Sequence, residues 1–278
     1  MKRFWFSTAA VSAFLLSTWP GYGATAQAVR ASQPHAQSQQ ELEDYRVASG
    51  VSGGAALEQA ALTFAGKYPQ SELRTRLFSR AMREYQRENN PDGVLNAGQE
   101  ILAIDANDPL ALVLTSTVMA DSLGPDDADR DRKINAIKQN IGRFLQILNV
   151  RAVPGSMAQG ETSIYKSTLE SMAYATLGLM GLKTGDYADA ERDLKTAVER
   201  GTARPDPFVW YHLALAQDHR KKYPAALNSV EQALQLASAY PELQKLAETE
   251  HERLTRLTGR NKQPAEGESP PPQRVPDL

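Results

Sequence analysis

Four arginines on one expected helix are the residues of this chain best placed to do chemistry. Arg76, Arg80, Arg83 and Arg87 recur at i, i+4, i+7 and i+11, a spacing that stacks them along one helical face. They lie opposite an apolar stripe that includes Phe78, Met82 and Tyr85. A guanidinium is a planar fork of donors that binds a carboxylate through two parallel hydrogen bonds. A row of them could hold an acidic peptide or a C-terminal carboxylate. The alternative is a solvated face balanced by Glu72, Glu84 and Glu88.

The histidines are His35, His212, His219 and His251. His212 and His219 share a helical face, with Asp218 between them, and two imidazoles plus a carboxylate could bind a metal. Seven residues, however, span about 10 Å of helix axis, whereas paired helical ligands usually sit at i and i+4. A structural role is expected for both, with no metal and no cofactor. Neither a Gly-rich phosphate loop, a nucleophile elbow nor a His-Glu-x-x-His string occurs. There is no cysteine, which excludes disulfides, thiolate metal sites, a cysteine nucleophile and a lipid-anchoring cysteine. The chain reads as a non-enzyme.

A chain of 278 residues suffices for one or two domains. Residues 1–28 have the parts of a secretory signal. Lys2 and Arg3 lead an apolar run, and Ala24-Thr25-Ala26 or Ala26-Gln27-Ala28 supplies the small residues of a cleavage site. Ser7, Thr8, Ser12, Ser17, Thr18 and Pro20 weaken the run as a membrane anchor, which needs about 20 apolar residues. The expected product begins near Val29, is periplasmic or secreted, and has no stable membrane insertion. Without Lys2 and Arg3 the 31 basic residues become 29 against 33 acidic ones. A net charge of -4 is not that of a nucleic-acid binder.

Residues 29–54, rich in Gln, Ser, Ala and Gly, read as a flexible linker with at most a short helix near 42–47. Helical periodicity begins at Ala55, where Leu57, Ala61 and Phe64 share a face. A second helix, 72–88, gathers Leu77, Phe78, Ala81, Met82 and Tyr85 into one stripe. Asn89-Asn90-Pro91-Asp92-Gly93 is a turn, and 94–104 is the next helix. Asp108 then caps a helix whose first position is Pro109. Helix 110–123, an acidic-basic insert at 124–132 and helix 134–148 follow. Pro154, Gly155 and Gly160 break the pattern over 151–160.

The strongest pattern lies beyond that break. Tyr174, Leu177, Gly178, Ala190, Leu194 and Ala197 align with Trp210, Leu213, Ala214, Ala226, Val230 and Ala233, each pair 36 residues apart. A turn tyrosine, Tyr187 then Tyr223, keeps the same register. A large residue, x2, Leu, a small residue, then Ala-x3-aliphatic in the following helix resembles the tetratricopeptide repeat (TPR), whose period is about 34. Residues 161–258 look like two such repeats with a charged capping helix from Pro241, and 55–150 resemble degenerate copies. In that frame Gly98 stands where a large core residue is expected. The five prolines among the last twenty residues leave 259–278 as a disordered tail.

The resemblance implies an all-α solenoid of helical hairpins, a right-handed superhelix with disordered termini, whose concave groove docks a protein or peptide. In that frame Arg76, Ser79, Arg83 and Arg87 face the groove, although the lysine-and-asparagine pattern of carboxylate-binding TPR modules is missing. Met172, Ala175, Leu179, Leu182, Phe208, Tyr211 and Leu215 would line an apolar channel, or be buried under a neighbouring helix. His219 is groove-facing and Tyr211 is expected at an interface centre. Ala190 and Ala226 mark hairpin contacts, and Glu191 is expected on the solvent face. The string from Phe64 to Ser71 resembles exported TPR proteins of envelope assembly. The function implied is that of an adaptor or scaffold, monomeric or weakly self-associating. The alternative is a structural protein whose groove is an oligomer interface.

Overall fold

The computed structural model describes residues 35–148 and 159–259. The expected leader at 1–28, the start of the linker, most of the interruption at 151–160 and all but the first residue of the tail lie outside the described residues.

Those residues form eleven α-helices and one short 3-10 turn, with no strand. They are α1 (Gln39–Ser49), α2 (Gly54–Lys67), α3 (Leu73–Arg87), α4 (Pro91–Ile104), α5 (Pro109–Ser122), α6 (Arg130–Ile147), α7 (Gln159–Thr184), α8 (Tyr187–Arg200), α9 (Pro207–His219), α10 (Tyr223–Leu236) and α11 (Pro241–Thr258). Each helix packs on the next, and α5 also meets α7, which in turn meets α9. No helix among the described residues is long and apolar enough to cross a membrane.

Helix starts follow the local chemistry. Asp108 accepts a hydrogen bond from the Ala111 amide at 2.8 Å and Asp206 from that of Phe208 at 2.8 Å. In each case proline follows in the first helical position, where the missing N–H is not needed. Asn90 caps α4 in the same way through Gly93.

The flexible linker is corrected by α1. Ser38 accepts from the Glu41 amide while Glu41 accepts from the Gln37 amide at 2.6 Å, a reciprocal cap. Tyr45 then packs edge-on against Phe64, with ring centroids 6.2 Å apart. Asp44 binds Lys67 and accepts from the Tyr68 hydroxyl at 2.6 Å. The Lys67 and Tyr68 hydrogen bonds hold its carboxyl at a pKa of about 2. A polar segment is thus docked by a few specific contacts. The interruption is also shorter than expected, because Gln159 and Gly160 already belong to α7, and α6 begins four residues before Ile134.

Helix α5 is buried on most of its faces, the hydroxyls of Thr115 and Ser116 bonded back to its own carbonyls, and packs on both sides. Ala111, Leu114 and Val118 join the core formed with α2, α3 and α4, while Leu112, Val113 and Ala120 join that of α6 and α7. This arrangement also explains Gly98. A Cβ there would lie 2.2 Å from the Thr115 methyl, so α4 and α5 approach where a larger residue would keep them apart. Tyr85 is similarly confined, since a Cβ on Gly54 or on Gly93 would lie 2.4 or 2.3 Å from its ring.

The second helices of the two aligned copies occupy equivalent environments. Ala190, Leu194 and Ala197 on α8, and Ala226, Val230 and Ala233 on α10, are all fully buried. A Cβ on Gly178 would meet Leu194 at 2.4 Å, so the small residue of the motif admits the facing helix. Buried hydroxyls close the hairpins: Ser171 donates to the Ala197 carbonyl at 2.7 Å and Ser229 to Gln217 at 2.8 Å.

Candidate partner-binding surface

Helix α3 carries the arginine row on the face away from its core. Leu77, Phe78, Ala81, Met82 and Tyr85 are buried, while Arg76, Arg80, Arg83 and Arg87 are exposed and Ser79 is half-buried. Arg87 is ion-paired with Glu84 one turn back, so the balancing of charge expected on a solvated face holds there. Among the described residues no carboxylate lies within ion-pair distance of Arg76, Arg80 or Arg83. Glu88 is used elsewhere, accepting from the Gly54 amide at 2.7 Å.

Arg83 differs from its neighbours. Solvent reaches it, yet enough protein surrounds the guanidinium that lost hydration pushes its pKa down. Tyr165 opposes this, and the like charges of Arg80 and Arg87 add to it. Tyr165 of α7, packed against the core of α5, α6 and α7, is the group whose charge couples to Arg83. Burial raises its phenol to a pKa of about 12, Asp108 adds to the rise and Arg83 opposes it.

The other expected site residues are placed differently. Tyr211 is 6% exposed and packs among the side chains of α10 and α11, so it is corrected from interface centre to core. Burial, with Glu250 adding, raises its pKa to about 12. Leu215 and Phe208 are half-buried in the same core. Ala175 and Leu182 pack between the hairpins, and Met172 and Leu179 under α5 and α6. The apolar channel is therefore largely consumed by the protein's own packing. His219 is exposed and stacks on Tyr187 of the preceding hairpin, with centroids 4.0 Å apart and rings within 2° of parallel. His212 is half-buried, and burial, helped by Lys183, lowers its pKa to about 4. The two imidazoles are thus separately engaged, and no group of three metal-ligating side chains occurs among the described residues.

No family model matches the chain, and no curated protein matches it in sequence.

Two polar clusters tie helices together elsewhere in the fold. Glu191, expected on the solvent face, is 2% exposed and is corrected to a buried hub. It binds Lys195 of its own helix at 2.7 Å, and Arg220 and Lys222 from the α9–α10 turn at 2.5 and 2.8 Å. The acidic-basic insert has a matching role. Arg130 donates to the Gly124 carbonyl at 2.7 Å and to the Lys183 carbonyl at the end of α7 at 2.6 Å, while Lys183 donates to the Asp121 carbonyl. Both clusters join helices distant in sequence. Nothing in local periodicity marks the burial of Glu191, because Arg220 and Lys222 come from the next hairpin.

Proposed function

We propose that this chain is an exported adaptor of the tetratricopeptide type, a right-handed solenoid that holds protein or peptide partners in its concave groove. The observation that carries this reading is the pair of hairpins 36 residues apart, whose matched second-helix positions, Ala190, Leu194 and Ala197 against Ala226, Val230 and Ala233, are buried alike. Stacked hairpins present a continuous surface built from successive first helices, and on α3 that surface is cationic. Export rests on the pattern of residues 1–28, and a role in envelope assembly on the string from Phe64 to Ser71. In this reading the protein is not an enzyme and carries no cofactor.

The self-associating alternative draws less support, because the apolar residues it would use are engaged within the hairpins themselves. A photo-crosslinking residue at Ser79, in the full chain exported by a Gram-negative host, tests the choice. Adducts with other proteins are expected, absent when the crosslinker sits at exposed Ala188, together with a monomer in sedimentation. Adducts composed only of two copies of this chain would overturn the adaptor reading.

A further inference from the structure

The turn between α9 and α10 collects more positive charge than its one buried carboxylate needs. At the 36-residue spacing, Thr184-Gly185-Asp186 of the first hairpin aligns with Arg220-Lys221-Lys222 of the second. The middle position is left-handed in both, with φ 86° at Gly185 and φ 59° at Lys221. Glycine takes that conformation freely, whereas a side chain there strains the backbone. A lysine is thus held at an exposed tip at a conformational cost. Its neighbours are in surplus too. Arg220, Lys222 and Lys195 bind the one carboxylate of Glu191, at 2.5, 2.8 and 2.7 Å, and all three stay partly exposed. One negative charge against three positive leaves a surplus of two, and Lys221 raises it to three. Of the acids beside the turn, Asp218 is bound by Arg253 at 2.5 Å and Asp186 accepts from the Thr184 hydroxyl at 2.9 Å. Helix α10 opens at this corner with no side-chain cap on its first amides, so the positive end of its dipole adds to the field.

We propose that this corner docks the protein reversibly on an anionic lipid bilayer, with Lys221 as its leading contact. The proposal stands apart from the groove and goes beyond the adaptor reading. The geometry favours a surface over a discrete ligand. The head groups of Arg220, Lys222 and Lys195 converge inward on Glu191, so they offer a single anion no enclosed set of donors, while their net field extends outward. A bilayer meets such a field with many phosphates at once. Tyr187, stacked on His219, and Tyr223, next after Lys222, are half-buried at the same corner. Their amphipathic rings suit a headgroup layer. A surplus of three charges with no inserted apolar segment gives a contact that salt reverses.

The test is flotation of the full chain with vesicles of phosphatidylcholine alone or mixed equally with phosphatidylglycerol, at low and at high salt. The mixed vesicles should bind more protein than the neutral ones, and the excess should fade as salt rises. Lys221→Gly should weaken that excess about fivefold, the scale of one basic residue at an anionic leaflet. The same change should leave the melting temperature equal or higher, because glycine relieves the backbone. Lys221→Arg should bind as the wild type does. Arg46→Gln, at an exposed position on α1, should change nothing. A lysine held only for structure would not combine weaker binding with equal or greater stability. Equal flotation of the wild type and Lys221→Gly on mixed vesicles overturns the proposal, as does binding that neutral vesicles match. Competition by soluble glycerophosphate at the same ionic strength would make the corner a discrete phosphate site, and the bilayer proposal would fail. It would fail equally if Lys221→Gly lost affinity for a labelled oligoglutamate while keeping its hold on the vesicles.

Discussion

Replacing Glu191 with glutamine should destabilise the C-terminal hairpins by about 2 to 3 kcal/mol at neutral pH, with a smaller loss in acid. Burial alone would raise this carboxyl's pKa, but the hydrogen bonds from Lys195 and Lys222 outweigh it and hold the value at about 2 against an ordinary 4.5. A difference of about 2.5 in pKa, at 1.36 kcal/mol for each, is worth about 3 kcal/mol. The three cations are 36 to 51% exposed, and solvent screening trims that figure. The sign follows from linkage. A carboxyl with a lower pKa when folded stabilises above its unfolded pKa, and that contribution is lost as pH falls through the folded value. The wild type should therefore lose it between about pH 4.5 and pH 2, and the glutamine variant has none to lose. Urea unfolding of both proteins at pH 7 and pH 3 reads the effect, supported by amide exchange in α8 and α10 to catch local opening. The gap at pH 3 should be less than half that at pH 7. An equal gap at both, or one under about 0.5 kcal/mol at pH 7, would refute the hub.

Two further substitutions probe the packing. Ala190→Arg should lower the melting temperature sharply, because overpacking costs about 1 to 3 kcal/mol and a buried unpaired charge adds to it. Ala188→Arg, on the exposed side of the same helix, should change stability by no more than about 0.5 kcal/mol; equal melting of the pair would mean the hairpin register is wrong. Gly93→Ala should cost about 1 to 3 kcal/mol by driving a methyl into the Tyr85 ring. Gly66→Ala, with nothing within 4 Å of the new methyl, should be neutral or stabilise by up to about 1 kcal/mol. Thermal melts in which Gly66→Ala is the more damaging would contradict the confinement of Tyr85.

What could be read in advance was local. The stripe from Leu77 to Tyr85 and the Asp108-Pro109 and Asp206-Pro207 starts depend on side chains within a turn or two of each other, so spacing reveals them. Helix α1 was obscured because its docking uses single polar contacts, Asp44 to Lys67 and to Tyr68, in place of an apolar stripe. Glu191 has the composition of a surface residue, and its burial is made tolerable by Lys195 of its own helix together with Arg220 and Lys222, which arrive from the next hairpin. Tyr211 is covered by α11, which periodicity does not place in space. Of the candidate surface, the arginine face was legible from its spacing. The coupling of Tyr165 to Arg83 was not, since Tyr165 belongs to a helix far along the chain.

The double burial of α5 limits how this protein could be cut or recombined. A fragment ending at Ser122 would leave Leu112, Val113 and Ala120 facing water, and one beginning at Pro109 would bare Ala111, Leu114 and Val118. Helices on both sides share a single wall. Excision of one hairpin, duplication of a unit or insertion of a foreign domain at this point would expose an apolar surface in either product. A modular array tolerates such editing between its units, but here the only seam near the middle of the described chain runs through a helix that both halves require.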